Sequence, residues 1–171
     1  MRFLQISPGF TSRNIRSSLD HSEFVYEVIL KLIPSARVME LNKPPRVVNP
    51  VSVRIQPSGR LILDFRYINN FLIKHRVKYE DWKIALSYFQ NGPFMITFDL
   101  KSGYHHIEIH PDHLRFLAFV WKFPGKASIR YFVFTVLPFG LYSVPHIFTK
   151  HLKLLEKYCR LNGVNMLYFL M

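Results

Sequence analysis

Apolar residues first recur at helical period between Asp20 and Pro34, where Phe24, Val25, Val28, Ile29 and Leu32 fall on one face. Asp20 and Glu23 have the spacing of a capping box, and Pro34 closes the segment. The period then changes to two. Residues 42–69 read as two strands, near Val51–Ile55 and Arg60–Phe65, joined by a Pro57-Ser58-Gly59 turn. Alternation puts Arg60, Ile62 and Asp64 on one face of the second strand, and Leu61, Leu63 and Phe65 on the other. A short helix is expected over Tyr79–Phe89. Glu80 and Asp81 stand in its first turn, where the helix dipole favours carboxylates, and Gly92-Pro93 stops it.

In the second half an apolar run from Phe94 climbs to Asp99 and breaks into Lys-Ser-Gly. The pattern predicts a strand ending at Asp99, a turn around Ser102-Gly103 and a further strand near His106–Ile109. A turn at Pro111-Asp112 leads into the apolar stretch Arg115–Trp121, and Ile129–Pro138 reads as another strand. Ser143–Gly163 is a helix: Pro145 is tolerated in its first turn, Phe148, Leu152, Leu155 and Cys159 share a face, and Asn162-Gly163 ends it. Val164–Met171 reads as a buried strand. The order is mixed and the turns are mostly short, which argues for α+β with an antiparallel sheet over a doubly wound parallel one.

Composition adds constraints. A chain of 171 residues with 49% hydrophobic and 16% aromatic content has ample material for a core, so wholesale disorder is excluded. The polar opening is the exception: residues 1–20 read as a poorly ordered segment ahead of a folded region at 21–171. Twenty-three Lys and Arg against eleven Asp and Glu give a net charge of +12, spread along the chain without a basic tail. A folded surface with that excess attracts polyanions, phosphate backbones above all. The single cysteine, Cys159, excludes an intramolecular disulfide and a cysteine-built zinc site. The sequence has neither a signal-peptide core nor 18 uninterrupted apolar residues, and an intracellular location, cytoplasmic or nuclear, is the expectation.

Three local patterns carry candidate chemistry. In "RLILDFRYIN", Arg60 at the root of a hairpin could reach a phosphate, although for this pattern alone a surface strand with a local Arg–Asp pair is the better explanation. In "FDLKSGYHHIEI", Asp99 could hold a metal, but on spacing alone a strand-ending turn is the better explanation. In "YFVFTVLPFGLYSVPHIFTK", Pro138 and Gly140 force a turn before a helix. A zinc site built from His105, His106, His110 and His113 is a weak alternative, because adjacent His105 and His106 would point to opposite faces of a strand.

Taken in order, these three motifs, with "NPVSVRI" upstream, resemble the reverse transcriptases of retroelements, of LTR-type and DIRS-like retrotransposons most closely. The resemblance runs from about Phe24 onward and implies the fingers and part of the palm of a right-hand polymerase, with a small antiparallel palm sheet backed by helices. It implies template-directed addition of dNTPs to a primer 3′-hydroxyl on an RNA or DNA template, assisted by two Mg²⁺ ions. Asp99 matches the first metal-binding aspartate, and the Leu100 carbonyl is a further donor. Tyr104 matches the aromatic beneath the sugar of the incoming nucleotide. Arg60 matches a triphosphate contact, with Arg54 as a second basic contact. Phe139 and Gly140 match the segment leading into the helix that lies against template and nascent base pair. Asp64, Arg66 and Asn69 match motif positions too and read as architectural.

The family's other two catalytic aspartates form an aromatic-x-Asp-Asp turn on the strand after this helix. Here Phe169-Leu170 match the aromatic-x, and Met171, a poor ligand for Mg²⁺, stands at the first Asp. The expectation is a fragment without thumb or RNase H regions, inactive alone and aggregation-prone at the apolar run Met166–Met171. The competing expectation is a non-catalytic, basic, nucleic-acid-binding remnant of a transposable element.

Overall fold

The two most deeply buried aromatic residues of the sheet, Phe119 and Phe132, stack with ring centroids 5.4 Å apart and both have 0% exposure. The computed structural model describes residues 8–55, 59–77, 82–89 and 94–168. In chain order the elements are β1 (Phe10–Thr11), α1 (Arg16–Asp20), α2 (Ser22–Leu32), β2 (Val38–Leu41), β3 (Val47–Val48), β4 (Val51–Arg54) and β5 (Arg60–Leu63). They continue with α3 (Arg66–Asn69), α4 (Trp82–Ser87), a 3-10 turn at Gly103–His106, α5 (Pro111–Leu114), β6 (Ala118–Trp121), β7 (Arg130–Phe134) and α6 (Val144–Leu161). Five strands form one sheet in the order β1-β3-β6-β7-β2, and β4 pairs with β5 alone. The class is α+β. The larger sheet was expected to be antiparallel and is mixed: β1–β3 and β3–β6 are parallel, while β6–β7 and β7–β2 are antiparallel.

Helix α2 lays Val25 and Ile29, both at 0% exposure, into the core, with Phe24 and Leu32 packed beside them. The expected face is right, but the capping box does not form. Asp20 ends α1 instead, its carboxylate 3.8 Å from Arg16 one turn back, and His21 stands at the N-cap of α2 without a side-chain cap hydrogen bond. The expectation of a poorly ordered segment at 1–20 also fails over residues 8–20, which hold β1 and α1; residues 1–7 lie outside the description. The polar residues that gave that reading satisfy backbone groups of neighbouring strands. Asn14 Nδ2 donates to the Val120 carbonyl (2.9 Å) while its Oδ1 accepts from Val51 N–H (3.1 Å), and Ser17 Oγ accepts from Val53 N–H (3.2 Å). One amide therefore joins the larger sheet to β4.

Three other expectations are corrected. Residues 94–99 form no strand and are exposed, Phe94 and Ile96 almost completely. A strand exists only where its N–H and C=O groups find a partner, and no described strand pairs with this segment. Residues 164–168 likewise form no strand, although Met166 is buried. Within His106–Ile109 the pairing shrinks to a single bridge, Glu108 to Val136, flanked by Ile109 N–H to the Thr135 carbonyl (2.8 Å) and Leu137 N–H to the Ile107 carbonyl (2.9 Å). Helix α6 forms as expected, but it buries Phe148, Thr149, Leu152 and Glu156, leaving Leu155 exposed. Gly163, at φ +79°, ends it, with Val164 N–H reaching the Cys159 carbonyl (2.9 Å). The expected Pro57-Ser58 turn, Glu80, Asp81, Gly92-Pro93 and Phe169–Met171 lie outside the described residues.

Candidate functional site

The β4–β5 hairpin pairs in register, Val51 to Leu63 through Arg54 to Arg60, so Arg54 and Arg60 sit directly opposite one another. Both are exposed. Like charges across a strand pair repel, so this end of the hairpin is a ready place for an anion. Toward the core, Leu63 and Phe65 are buried at 4% and 2% exposure, as alternation requires. Asp64 faces the other way and is committed to its neighbour: it accepts from Arg66 N–H (2.9 Å) and, through both oxygens, from Arg66 Nε (3.0 and 2.8 Å). The Arg66 hydrogen bond holds its carboxyl below the usual range against the opposing effect of burial.

Asn69, 5% exposed, reaches across to the third motif. Its Nδ2 donates to the Gly140 carbonyl and its Oδ1 accepts from Tyr142 N–H, both at 2.9 Å. Gly140 has φ +101°, and a Cβ there would stand 3.4 Å from Phe65 Cδ2 and 3.5 Å from the Leu63 carbonyl oxygen. A side chain at this position would be strained by backbone and crowded by the end of β5. The first and third motifs are thus one packed unit. Their roles as architecture, expected for Asp64, Arg66 and Asn69, are visible in these bonds.

The second motif joins through aromatic rings. Tyr104 meets Phe139 at 4.8 Å between centroids and Phe148 of α6 at 5.0 Å, the latter edge to face. Gly103 lets α6 come close: a Cβ on it would lie 2.8 Å from Phe148 Cζ. Tyr104, Phe139 and Gly140 therefore sit together. Asp99 and Leu100 precede them on an exposed, irregular segment. The Leu100 carbonyl accepts from Gly103 N–H (3.0 Å), and its second lone pair stays available.

Mg²⁺ requires several hard oxygen ligands. Among the described residues no group of three or more His, Cys, Asp and Glu is placed to hold a metal ion. Asp64 is taken by Arg66, Asp112 stands by His110 (3.5 Å), and Glu156 pairs with Arg160 (2.6 Å). Asp99 and the Leu100 carbonyl, by themselves, do not fit a pair of Mg²⁺ ions. The four histidines weighed for zinc diverge: His105 packs on Phe134 and Phe139, His106 Nε2 lies 3.2 Å from the Lys101 carbonyl, and His110 faces Asp112 and His113.

Sequence reasoning missed several contacts beside this site. Lys74 Nζ lies 4.7 Å from the centre of the Tyr142 ring, and the His75 and His146 rings stack at 4.1 Å. His105 meets the Phe139 ring edge to face at 5.8 Å. Each joins residues far apart in the chain, and no local pattern signals such a pairing.

No protein-family model matches the chain. Among curated proteins, it is 29% identical over 103 residues to the genome polyprotein of Petunia vein clearing virus (isolate Shepherd), covering 60% of this chain and 4% of that polyprotein. It is 28% identical over 109 residues to the putative enzymatic polyprotein of Cassava vein mosaic virus, covering 63% and 16%. It is 29% identical over 147 residues to the retrovirus-related Pol polyprotein from transposon gypsy of Drosophila melanogaster, covering 82% and 14%. The chain thus spans 4% to 16% of the length of these three relatives. Among solved structures, the foamy viral protease-reverse transcriptase in complex with RNA/DNA hybrid superimposes with a TM-score of 0.66 at 20% identity, over 90% of this chain and 20% of that one. The foamy viral protease-reverse transcriptase dRH in complex with double-stranded DNA gives 0.64 at 21% identity, over 90% and 25%. The chain is a domain with the reverse transcriptase fold, related in sequence to the polyproteins of retrotransposons and viruses.

Proposed function

We propose that this chain forms the nucleotide-facing and template-facing part of a reverse transcriptase, and that its 171 residues alone bind nucleic acid without extending a primer. The observation that carries the reading is the convergence of three motifs distant in sequence: Asn69 pins the Gly140–Tyr142 turn, and that turn's Phe139 meets Tyr104. In this reading Arg60 and Arg54, opposed across the hairpin, take the phosphates of a dNTP. Tyr104 packs beneath the sugar and disfavours a 2′-hydroxyl, while Phe139 and Gly140 border the nascent base pair. Asp99 and the Leu100 carbonyl are the metal-side donors. They require further carboxylates, and among the described residues no group of three or more His, Cys, Asp and Glu is placed to hold a metal ion.

The net charge of +12, and the RNA/DNA hybrid and double-stranded DNA bound by the foamy viral proteins, support a template–primer as the nucleic-acid partner. The test is fluorescence anisotropy with a labelled template–primer across a salt series. Binding should weaken by roughly tenfold or more between 50 and 200 mM salt, as displaced counterions require. Arg54→Ala and Arg60→Ala should reduce the retention of a dNTP on the preformed complex. Salt-independent binding, or no binding, would reject the reading. The lack of a metal-holding group of carboxylates among the described residues favours one second reading, a non-catalytic nucleic-acid-binding element, which predicts the same salt dependence with no preference for a dNTP over free triphosphate.

A further inference from the structure

Phe139 is 59% exposed yet is buttressed from behind by two consecutive residues: Tyr104 at 4.8 Å and His105 at 5.8 Å, the latter with its ring turned 70°. On its other side His105 meets Phe134 at 6.3 Å. Its Nδ1 is buried and has no hydrogen-bond partner among the described residues. An orphaned buried nitrogen costs free energy that a phenylalanine in the same space would not. The wedge is therefore paid for in stability.

We propose that His105 is a positioning residue of the candidate nucleotide wall: its neutral imidazole, wedged between Phe134 and Phe139, sets the pitch of the Phe139 ring against Tyr104. The meaning of that wall rests on the function proposed above, whereas the wedge rests on ring geometry alone. The imidazole packs on Phe134 at the end of β7 and on Phe139 in the following turn, and it lies in the field of two charged or titratable groups, Arg37 ahead of β2 and its own neighbour His106. Both oppose a positive charge on His105. Burial first, then Arg37 and His106, hold its pKa below the ordinary 6.5, so the ring is neutral at pH 7. Protonation adds a cation to a half-buried slot where the Arg37 charge already opposes one. The imidazole is then driven toward water and Phe139 loses its backing. The wall becomes sensitive to acid.

The experiment is ¹⁹F NMR on the chain carrying 4-fluorophenylalanine at position 139, fused to a solubility partner, titrated with acid from pH 8. In the wild-type sequence the resonance should move with one midpoint below about 6.5. His105→Phe keeps the wedge and cannot titrate, so its resonance should stay near the neutral wild-type position throughout. His105→Asn, small and non-titrating, should give a displaced, pH-independent resonance. A wild-type resonance indifferent to pH, or a titration that persists in His105→Phe, would overturn the proposal. Adding a dNTP with Mg²⁺ and template–primer then addresses the wall separately. A resonance that titrates but ignores the nucleotide would sink the nucleotide reading and leave the wedge standing.

Discussion

Two stretches of this chain look alike on paper and behave differently in the fold. Residues 60–69 and residues 94–100 each run apolar through a strand-like pattern to an aspartate. The first is paired to β4 and packed by Leu63 and Phe65, and Asn69 ties it to the turn at Gly140. Its aspartate is consumed by Arg66. The second pairs with no described strand, exposes Phe94, Ile96 and Phe98, and holds Asp99 out to solvent. An alternating apolar pattern is a conditional statement: it says which face would be buried if a neighbour were there. The aspartate with neighbours became architecture. The other stands exposed on an irregular segment.

Substitutions should separate the two regions sharply. Phe132→Ala, at a position with 0% exposure, should cost about 3–5 kcal/mol in denaturant unfolding. Phe94→Ala or Ile96→Ala should stay within about 0.5 kcal/mol while reducing self-association, since both side chains are exposed. Equal costs would mean that the 94–100 segment is packed after all. Next in size, Asn69→Ala leaves the Gly140 carbonyl and the Tyr142 N–H without partners, and should cost about 2–3 kcal/mol. If it proved neutral, the first and third motifs would not be one unit. Gly140→Ala should cost about 1–3 kcal/mol, from the positive φ and the approach to Phe65 and Leu63.

The smallest effect is the pH dependence, which has two parts of the same sign. His105 and His113 are both held below their ordinary value, chiefly by burial, so the unfolded chain takes up their protons first. Stability is full above about pH 6.5 and declines as pH falls below it. Glu40 is lowered mainly by its hydrogen bond to Arg130, and Asp64 by that to Arg66. Their contribution is present above the unfolded carboxylate range, 4.5 and 3.8, and is lost as pH falls through it toward the folded values. His105→Phe should flatten the upper part of a stability profile and Asp64→Asn the lower. A profile that either variant leaves unchanged would contradict the corresponding contact.

The sequence was legible where local periodicity carried the information. The α2 face with Val25 and Ile29, the β4–β5 hairpin and the span of α6 all follow from spacing. It was misleading where polar residues act at a distance: Asn14 and Ser17 look like a disordered leader and instead hydrogen-bond to the backbones of β6 and β4. It was silent about register between remote segments. The meeting of His105 with Phe139 depends on packing that no window of sequence contains. Of the candidate site, the motif residues were legible through their resemblance to a family. The bonds that gather Tyr104, Phe139 and Gly140 were not.

Primer extension tests the central claim most directly. The 171-residue polypeptide, supplied with template–primer, dNTPs and Mg²⁺, should bind the nucleic acid and add no nucleotide, because among the described residues no group of three or more His, Cys, Asp and Glu is placed to hold a metal ion. Incorporation by a clean preparation, abolished by Asp99→Asn, would contradict the account.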